Sequence, residues 1–303
     1  MSAVLLDALR SPSPAMPRGI VHGMPNAEYH ALSAIGSTGL RRLARSPLHF
    51  YGQTLDPGRP IVEPTPSMRR GTLAHCALLE PDELVNRYRV RPEGLDGRTK
   101  EGRAWLEQVP PGFEVVTAAE MLTAQRQAAS VRALPEIGAL LAGGGSPEVS
   151  AFWTDKATGL HCKCRPDWVT NPTTEARGVA LLDLKTCERA DPEGFAKSVD
   201  NWGYDIQAAY YTEGYERASG DMVLGFVFIA VEHDYPHAAA AYMLPDVWIS
   251  DAERRVHQLL DLCAECEQRG QWPGYVNTIE PLVMPRWVEK RIQQASNQLI
   301  TTP

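Results

Sequence analysis

Polar and apolar residues alternate most clearly in the middle of the chain. Over Leu160–Arg165 the residues Leu, Cys and Cys alternate with His, Lys and Arg, the period of a strand with one buried face. This predicts a strand over Leu160–Val169, and Val149–Thr154 is its expected partner across the turn Asp155–Gly159. After a second turn at Asn171-Pro172, Gly178–Lys185 forms a third expected strand. Met222–Val231, apolar and rich in β-branched residues, is a fourth, with Ala238–Leu244 as its hairpin partner. Between them Asp191-Pro192 joins an N-cap residue to a proline suited to the first helical position. Helical sequence then runs to about Ala218, bent at Gly203, with Gly220 as the C-cap. A long helix follows over Asp246–Arg269.

Helical spacing dominates the N-terminal half. Ser37 is placed to cap a helix starting near Thr38, in which Leu40, Leu43 and Ala44 recur on one side, and Ser46-Pro47 ends it. The proline-rich Gly52–Pro66 reads as a loop. Gly71–Leu79 is an apolar helix stopped by Pro81, and it carries His75. Residues 86–145 read as helical and accessory, with an amphipathic helix over Ala118–Leu134 and a loop at Gly143–Gly145. The order is helix, three-strand meander, helix, strand. That is an α/β core with a mixed sheet and helical additions at both ends. The expected organisation is a poorly ordered lead-in over residues 1–20 and one domain over 21–303. Within that domain, residues 21–146 are helical, 147–245 form the α/β core, and 246–303 hold a helix and a tail with a short helix after Pro285.

Composition adds limits. With 303 residues, 44% hydrophobic and 22% charged, the chain can bury a sizeable core as a soluble protein. It opens without a basic, apolar leader, and no stretch reaches the roughly 20 apolar residues of a membrane span. A cytoplasmic protein with no membrane partner is therefore expected. The net charge of −7 argues against indiscriminate coating of nucleic acid. Charge is nevertheless uneven: from Gly36 to His75, six arginines face only Asp56 and Glu63, a local balance of +4. Arg41, Arg42 and Arg45 share one helix and are the candidates for phosphate contacts, although a solvated face gives the same pattern. The six cysteines show no paired framework and read as small apolar residues of a reducing compartment.

Chemistry concentrates in Arg165–Thr186. On a strand, positions two apart share a face, so Asp183 and Lys185 point one way while Leu182 and Leu184 point into packing. A hairpin can set Asp167 beside Asp183, and two close carboxylates repel unless a cation lies between them. Hard oxygen ligands suit Mg²⁺ or Mn²⁺, and a lysine on the same face can orient an attacking water or offset phosphate charge. Taken alone, Asp-x-Lys is equally the pattern of an ion pair at a strand end. His75 alone fits a satisfied core histidine, Gln207 and Tyr211 an inward-facing helical pair, and Glu148 a solvent-facing turn residue.

Several motifs occur together and in order. They are Met24-Pro25-Asn26-x-x-Tyr29-His30, Ser37-x-x-Leu40-x-x-Leu43-x-x-Ser46-Pro47, Gly71-Thr72-x-x-His75 and Cys164-Arg165-Pro166-Asp167. Asp183-Leu184-Lys185-Thr186, Tyr204-x-x-Gln207-x-x-x-Tyr211 and Trp272-Pro273-Gly274-Tyr275 complete the set. The chain thereby resembles the PD-(D/E)xK nuclease superfamily, and within it the RecE-type (exodeoxyribonuclease VIII) and lambda exonuclease-like phage recombination exonucleases. The resemblance implies Asp167 and Asp183 as metal ligands, with the Leu184 carbonyl and His75 beside them, and Lys185 as the catalytic lysine. It further implies that Gln207 and Tyr211 reach the phosphate or buttress Lys185, and that Glu148 is an additional acid. The implied cofactor is Mg²⁺, with Mn²⁺ able to substitute. No iron–sulfur cluster is expected, because Cys263-x-x-Cys266 offers two of the four cysteines it needs. The implied activity is resection of double-stranded DNA ends, 5′ to 3′, by a ring-shaped trimer or tetramer working with a single-strand annealing protein. For a phage or prophage gene this places the protein in the bacterial host cytoplasm. Two alternatives are a structure-specific endonuclease on the same core and a non-catalytic module that binds DNA ends.

Overall fold

The computed structural model describes Leu9 and residues 16–60, 62–172 and 178–300. These group into two compact units, one ending at Trp272 and one beginning at Pro273. The strands are β1 (Gly19–Val21), β2 (Tyr88–Arg91), β3 (Glu114–Thr117), β4 (Gly145–Pro147), β5 (Ser150–Thr154), β6 (His161–Cys164), β7 (Trp168–Thr170), β8 (Gly178–Cys187), β9 (Met222–Glu232) and β10 (Ala239–Tyr242). In the N-terminal half the helices are α1 (Asn26–Ala31), α2 (Ser37–Arg45), α3 (Pro47–Phe50), α4 (Pro66–Leu79), α5 (Leu84–Arg87), α6 (Lys100–Glu107), α7 (Ala118–Arg132) and α8 (Pro135–Ala142). They are followed by α9 (Pro192–Trp202), α10 (Tyr204–Ser219), α11 (Asp246–Arg269) and, in the second unit, α12 (Arg286–Ile300).

The principal sheet has five strands in the order β10-β9-β8-β7-β4. Its centre, β8 against β9, is parallel and the other pairings are antiparallel, so the sheet is mixed as expected. A parallel pair needs a crossover, which α9 and α10 supply. Asp191 caps α9 by accepting the Gly194 N–H at 3.1 Å, and Pro192 opens it. Gly203, at φ +61°, turns the chain from α9 into α10 in the left-handed conformation that favours glycine.

Strand alternation divides the core into two layers. Val179, Leu181, Phe226 and Phe228 pack against Ile206, Ala209 and Tyr210 of α10 and Val256 of α11. Leu182, Leu184, Ile229 and Val231 face the other way, onto Leu73 and Ala77 of α4 and Ala124 and Ala128 of α7. The first layer is tight at α10, where Gly214 lies against the ring of Trp153 and a methyl group there would overlap it. Gly214→Ala is expected to lower stability by about 2 kcal/mol despite alanine's better helix propensity, because the overlap outweighs the propensity gain. A denaturant melt checks this, and an unchanged midpoint would count against the packing.

Several expectations need correction. The strand expected over Leu160–Val169 is broken at Arg165–Asp167: β6 pairs with β5 in a three-stranded sheet with β1, and β7 joins the principal sheet. Pro166 has no N–H for a ladder, and the break falls there. Ser37 is not a cap. Gly36 precedes α2 with no side-chain cap, and Ser37 is itself the buried first residue of the helix. α4 begins five residues before Gly71, with Thr65 capping it and Pro66 in its first turn, so the proline-rich loop ends sooner. One π-helical turn over Tyr51–Leu55 interrupts that loop. The accessory region is not wholly helical: β2 and β3 form a parallel pair that four-residue strands far apart in sequence did not reveal. β8 runs on to Cys187, and α12 is a helix of 15 residues rather than a short one. The lead-in expected over residues 1–20 falls largely outside the described residues; within it Leu9 is buried and Gly19 and Ile20 belong to β1.

Candidate active site

The site begins with a hairpin that bends. The register that pairs β4 with β7 is the same one that pairs β5 with β6. Carried across the gap, it sets Glu148 opposite Asp167 and Ser150 opposite Arg165. Two bonds agree: the Glu148 N–H donates to the Asp167 carbonyl at 3.0 Å, and Arg165 Nε donates to Ser150 Oγ at 2.9 Å. At the bend Glu148 has φ +49°, a left-handed backbone uncommon for a residue with a side chain and concentrated at functional positions. The strand-to-strand crossing between sheets thus places two carboxylates at one corner.

α4 brings the third group. His75 Nε2 lies 3.0 Å from the Leu184 carbonyl, an acceptor, so this nitrogen carries the proton. Nδ1 faces Asp167, whose Oδ2 is 3.4 Å away. Asp167 Oδ2 also accepts the Leu184 N–H at 2.7 Å. Leu184 is therefore engaged at both backbone groups, its N–H by Asp167 and its carbonyl by His75. One ligand atom each from His75, Glu148 and Asp167 lies within 4.8 Å of the others. A divalent cation suits this donor set. It would meet two carboxylates and an imidazole nitrogen already oriented by its second hydrogen bond.

Asp183 and Lys185 lie on the opposite face of β8 from His75. The Asp183 carboxylate is buried, contacts the Lys185 ammonium and accepts from Gln207 Nε2 at 2.6 Å. Gln207 stands on α10 one turn before Tyr211, which is buried beside Asp183. Burial and then the nearby Asp167 carboxylate push Asp183 up to about 6, with Lys185 opposing. Burial alone would lower Lys185, but Asp183 and Asp167 outweigh it and hold the ammonium above its ordinary range. The ring of Tyr204 lies under that ammonium at 4.8 Å. Tyr204 entered the sequence reading only as part of a motif; the place of its ring depends on the left-handed turn at Gly203.

Burial and Asp167 together push Glu148 up to about 8. Its native proton is thus held more tightly than in the unfolded chain, so without a cation stability falls as pH rises from about 4.5 to about 8. A bound cation must displace that proton. Saturating MnCl₂ is therefore expected to raise the melting temperature little near pH 6 and progressively more toward about pH 8. Thermal melts at several pH values check this, and a gain that does not grow with pH would sink the assignment of Glu148.

The cleft over this corner encloses about 940 Å³. One wall is His22–Asn26, another the α4 face with Met68, Thr72 and His75, and a third Ser146–Glu148. Glu80 and Arg87 close one end with two parallel bonds of 2.7 and 2.8 Å. The arginines of α2 stand apart from it. Arg41 donates to the Trp202 carbonyl at 2.8 Å and packs on Gly203, and Arg42 donates to the Gln53 carbonyl at 3.0 Å. Each guanidinium keeps further donors beyond these. Arg45 is exposed. All six cysteines are buried and no disulfide joins them, and Cys263 and Cys266 lie on the inner side of α11. Among the described residues no helix is long and apolar enough to cross a membrane.

Comparison with known proteins agrees with the geometry. A crystal structure from Eubacterium rectale, described as that of a candidate exonuclease, aligns over 89% of this chain and 98% of its own with a TM-score of 0.59 at 14% identity. At that identity the likeness concerns the fold. The structure of SSO0001 aligns over 64% of this chain and 86% of its own at 13% identity with a TM-score of only 0.28. No curated protein matches the sequence. Residues 36–283 match the family model described as a PDDEXK-like domain of unknown function (DUF3799), which takes in every residue of the corner just described. The mixed sheet and the acid–lysine strand at its centre are those of the PD-(D/E)xK superfamily, and the chain belongs to its DUF3799 family.

Proposed function

We propose that this protein is a divalent-metal-dependent deoxyribonuclease that resects the ends of duplex DNA. The observation that carries the reading is the convergence of His75, Glu148 and Asp167 beside the buried Asp183–Lys185 pair. A divalent cation, when bound, supplies Lewis acidity and a water of lowered pKa. The chain's own groups do the rest. His75, held by the Leu184 carbonyl, orients Asp167; Gln207 fixes the Asp183 carboxylate; and Asp183 keeps Lys185 charged and aimed at the corner where a phosphate would lie. A charged lysine there offsets negative charge building on the phosphoryl oxygens. Arg41, Arg42 and Arg45 are proposed to contact phosphates, which positions a strand without reading its sequence.

The motif order favours the RecE-type members, and with them 5′ to 3′ polarity, Mg²⁺ with Mn²⁺ as substitute, a ring-shaped homo-oligomer and a single-strand annealing partner. Two substrates test the core of this reading: a blunt linear duplex labelled at one 5′ end, and a covalently closed circle of the same sequence. With Mg²⁺ the linear duplex should be degraded from its ends and the circle spared, and EDTA should stop the reaction. Cleavage of the circle at a comparable rate points instead to an endonuclease. DNA-end binding without cleavage in Mg²⁺ or Mn²⁺ points to a non-catalytic module.

A further inference from the structure

The motif around Met24 and Tyr29 and the Arg165 that precedes Pro166-Asp167 have no part in the chemistry given so far, yet the structure joins them. Arg165 is only 8% exposed, and its guanidinium reaches two other segments, the Ser150 strand and Met24–Tyr29. Nε donates to Ser150 Oγ across the hairpin, Nη2 to the Met24 carbonyl at 3.1 Å, and Nη1 lies 3.4 Å from Asn26 Oδ1. Its plane lies 4.0 Å from the centre of the Tyr29 ring. Lys163, two residues earlier in β6, donates to the Tyr29 and Leu32 carbonyls at 2.7 and 2.8 Å and also approaches that ring. Among the described residues, none of the hydrogen bonds made by these two buried cations ends on a carboxylate. A buried guanidinium without a bonded acid is costly for stability alone.

The placement of Arg165 and its partners is informative. Ser150 lies two residues beyond Glu148 on one limb of the bend, Arg165 two residues before Asp167 on the other, and Met24–Asn26 forms a cleft wall. A single planar fork therefore ties both limbs of the bend to the wall facing the carboxylates. We propose that Arg165 is a positioning residue: its guanidinium fixes the bend that sets Glu148 opposite Asp167, and with it the geometry of the cation site, while Lys163 anchors only the α1 segment. The proposal rests on the reading of His75, Glu148 and Asp167 as a cation site. Lysine cannot replace Arg165 in this role, because a point charge on a flexible stem cannot engage both segments at fixed angles.

The test uses the full chain with Arg165→Lys, Arg165→Gly and Lys163→Met. Mn²⁺ affinity is measured by calorimetry, kcat and KM on a linear duplex, and folding by thermal melt. Arg165→Lys is expected to weaken Mn²⁺ binding roughly 10- to 100-fold, the range for groups that orient metal ligands, and to lower kcat with little change in KM. In Arg165→Gly, millimolar guanidinium should restore part of the Mn²⁺ affinity and of kcat. Lys163→Met should lower the melting temperature while leaving Mn²⁺ affinity near that of the unaltered chain. The proposal is overturned if Arg165→Lys binds Mn²⁺ as the unaltered chain does. It is equally overturned if Lys163→Met weakens Mn²⁺ binding as much as Arg165→Lys, since the cations would then only stabilise the segment. If the unaltered chain neither binds Mn²⁺ nor cleaves, the cation site itself is refuted and the proposal falls with it.

Discussion

Asp183→Asn is expected to lower the cleavage rate by about a thousandfold while leaving duplex affinity within about threefold. The amide keeps the shape of the carboxylate and can still meet Gln207, so the fold persists. What it removes is the charge that holds Lys185 protonated. Burial lowers that ammonium, and the acids beside it outweigh the effect; with Asp183 neutral, Asp167 and, less strongly, Tyr204 are left to oppose burial. The corner therefore loses a carboxylate and weakens Lys185 in one step. Fluorescence anisotropy with a labelled duplex, beside a cleavage time course, separates binding from chemistry. Cleavage at the unaltered rate would refute the placement of Asp183 in the site.

Lys185→Met should have the second-largest effect and should show in stability as well as rate. It strands the Asp183 carboxylate, 1% exposed, without its cation, and breaking a buried pair from one side costs about 3 kcal/mol. The sign with pH follows. Asp183 already binds its proton more tightly in the fold than in the unfolded chain, and losing Lys185 raises that preference further. Stability of the variant should thus fall as pH rises through about 6 and beyond, and the gap to the unaltered protein should narrow in acid. Paired denaturant melts at about pH 5 and pH 8 measure the gap. A gap independent of pH would mean that Asp183 has another partner. The rate at neutral pH should drop by about a hundredfold or more.

The sequence carried the central architecture because its signals there are local. Asp191-Pro192, Gly203 and Gly220 mark α9 and α10, and the apolar runs of β8 and β9 are long enough to show their period. Asp183 and Lys185 share a face by alternation alone. Non-local pairing was harder. β2 and β3 are short and parallel, and nothing in four residues announces a partner across the intervening helix. Leu160–Val169 alternates well enough to read as one strand, and only tertiary pairing shows it leaving one sheet for another at Pro166. For the same reason Glu148 looked like a turn residue: its place opposite Asp167 comes from a register that passes through a bend. Arg165 gave no local signal of its three partners, which lie up to 141 residues away.

The two-layer core has a consequence for how the protein is made. His75 belongs to the layer packed on α4 and α7, whereas Asp183 and Lys185 face the layer packed on α10 and α11. A chain leaving the ribosome exposes His75 first, and 109 residues separate it from the Leu184 carbonyl that orients it. Gln207, which fixes Asp183, emerges later still, on the crossover that must close before β9 can pair beside β8. A fragment that ends before α10 carries both acids and the lysine but lacks Gln207, and with it the bond that fixes Asp183. The corner would therefore reach its full arrangement on the nascent chain only once α10 has emerged and both faces of the sheet are covered.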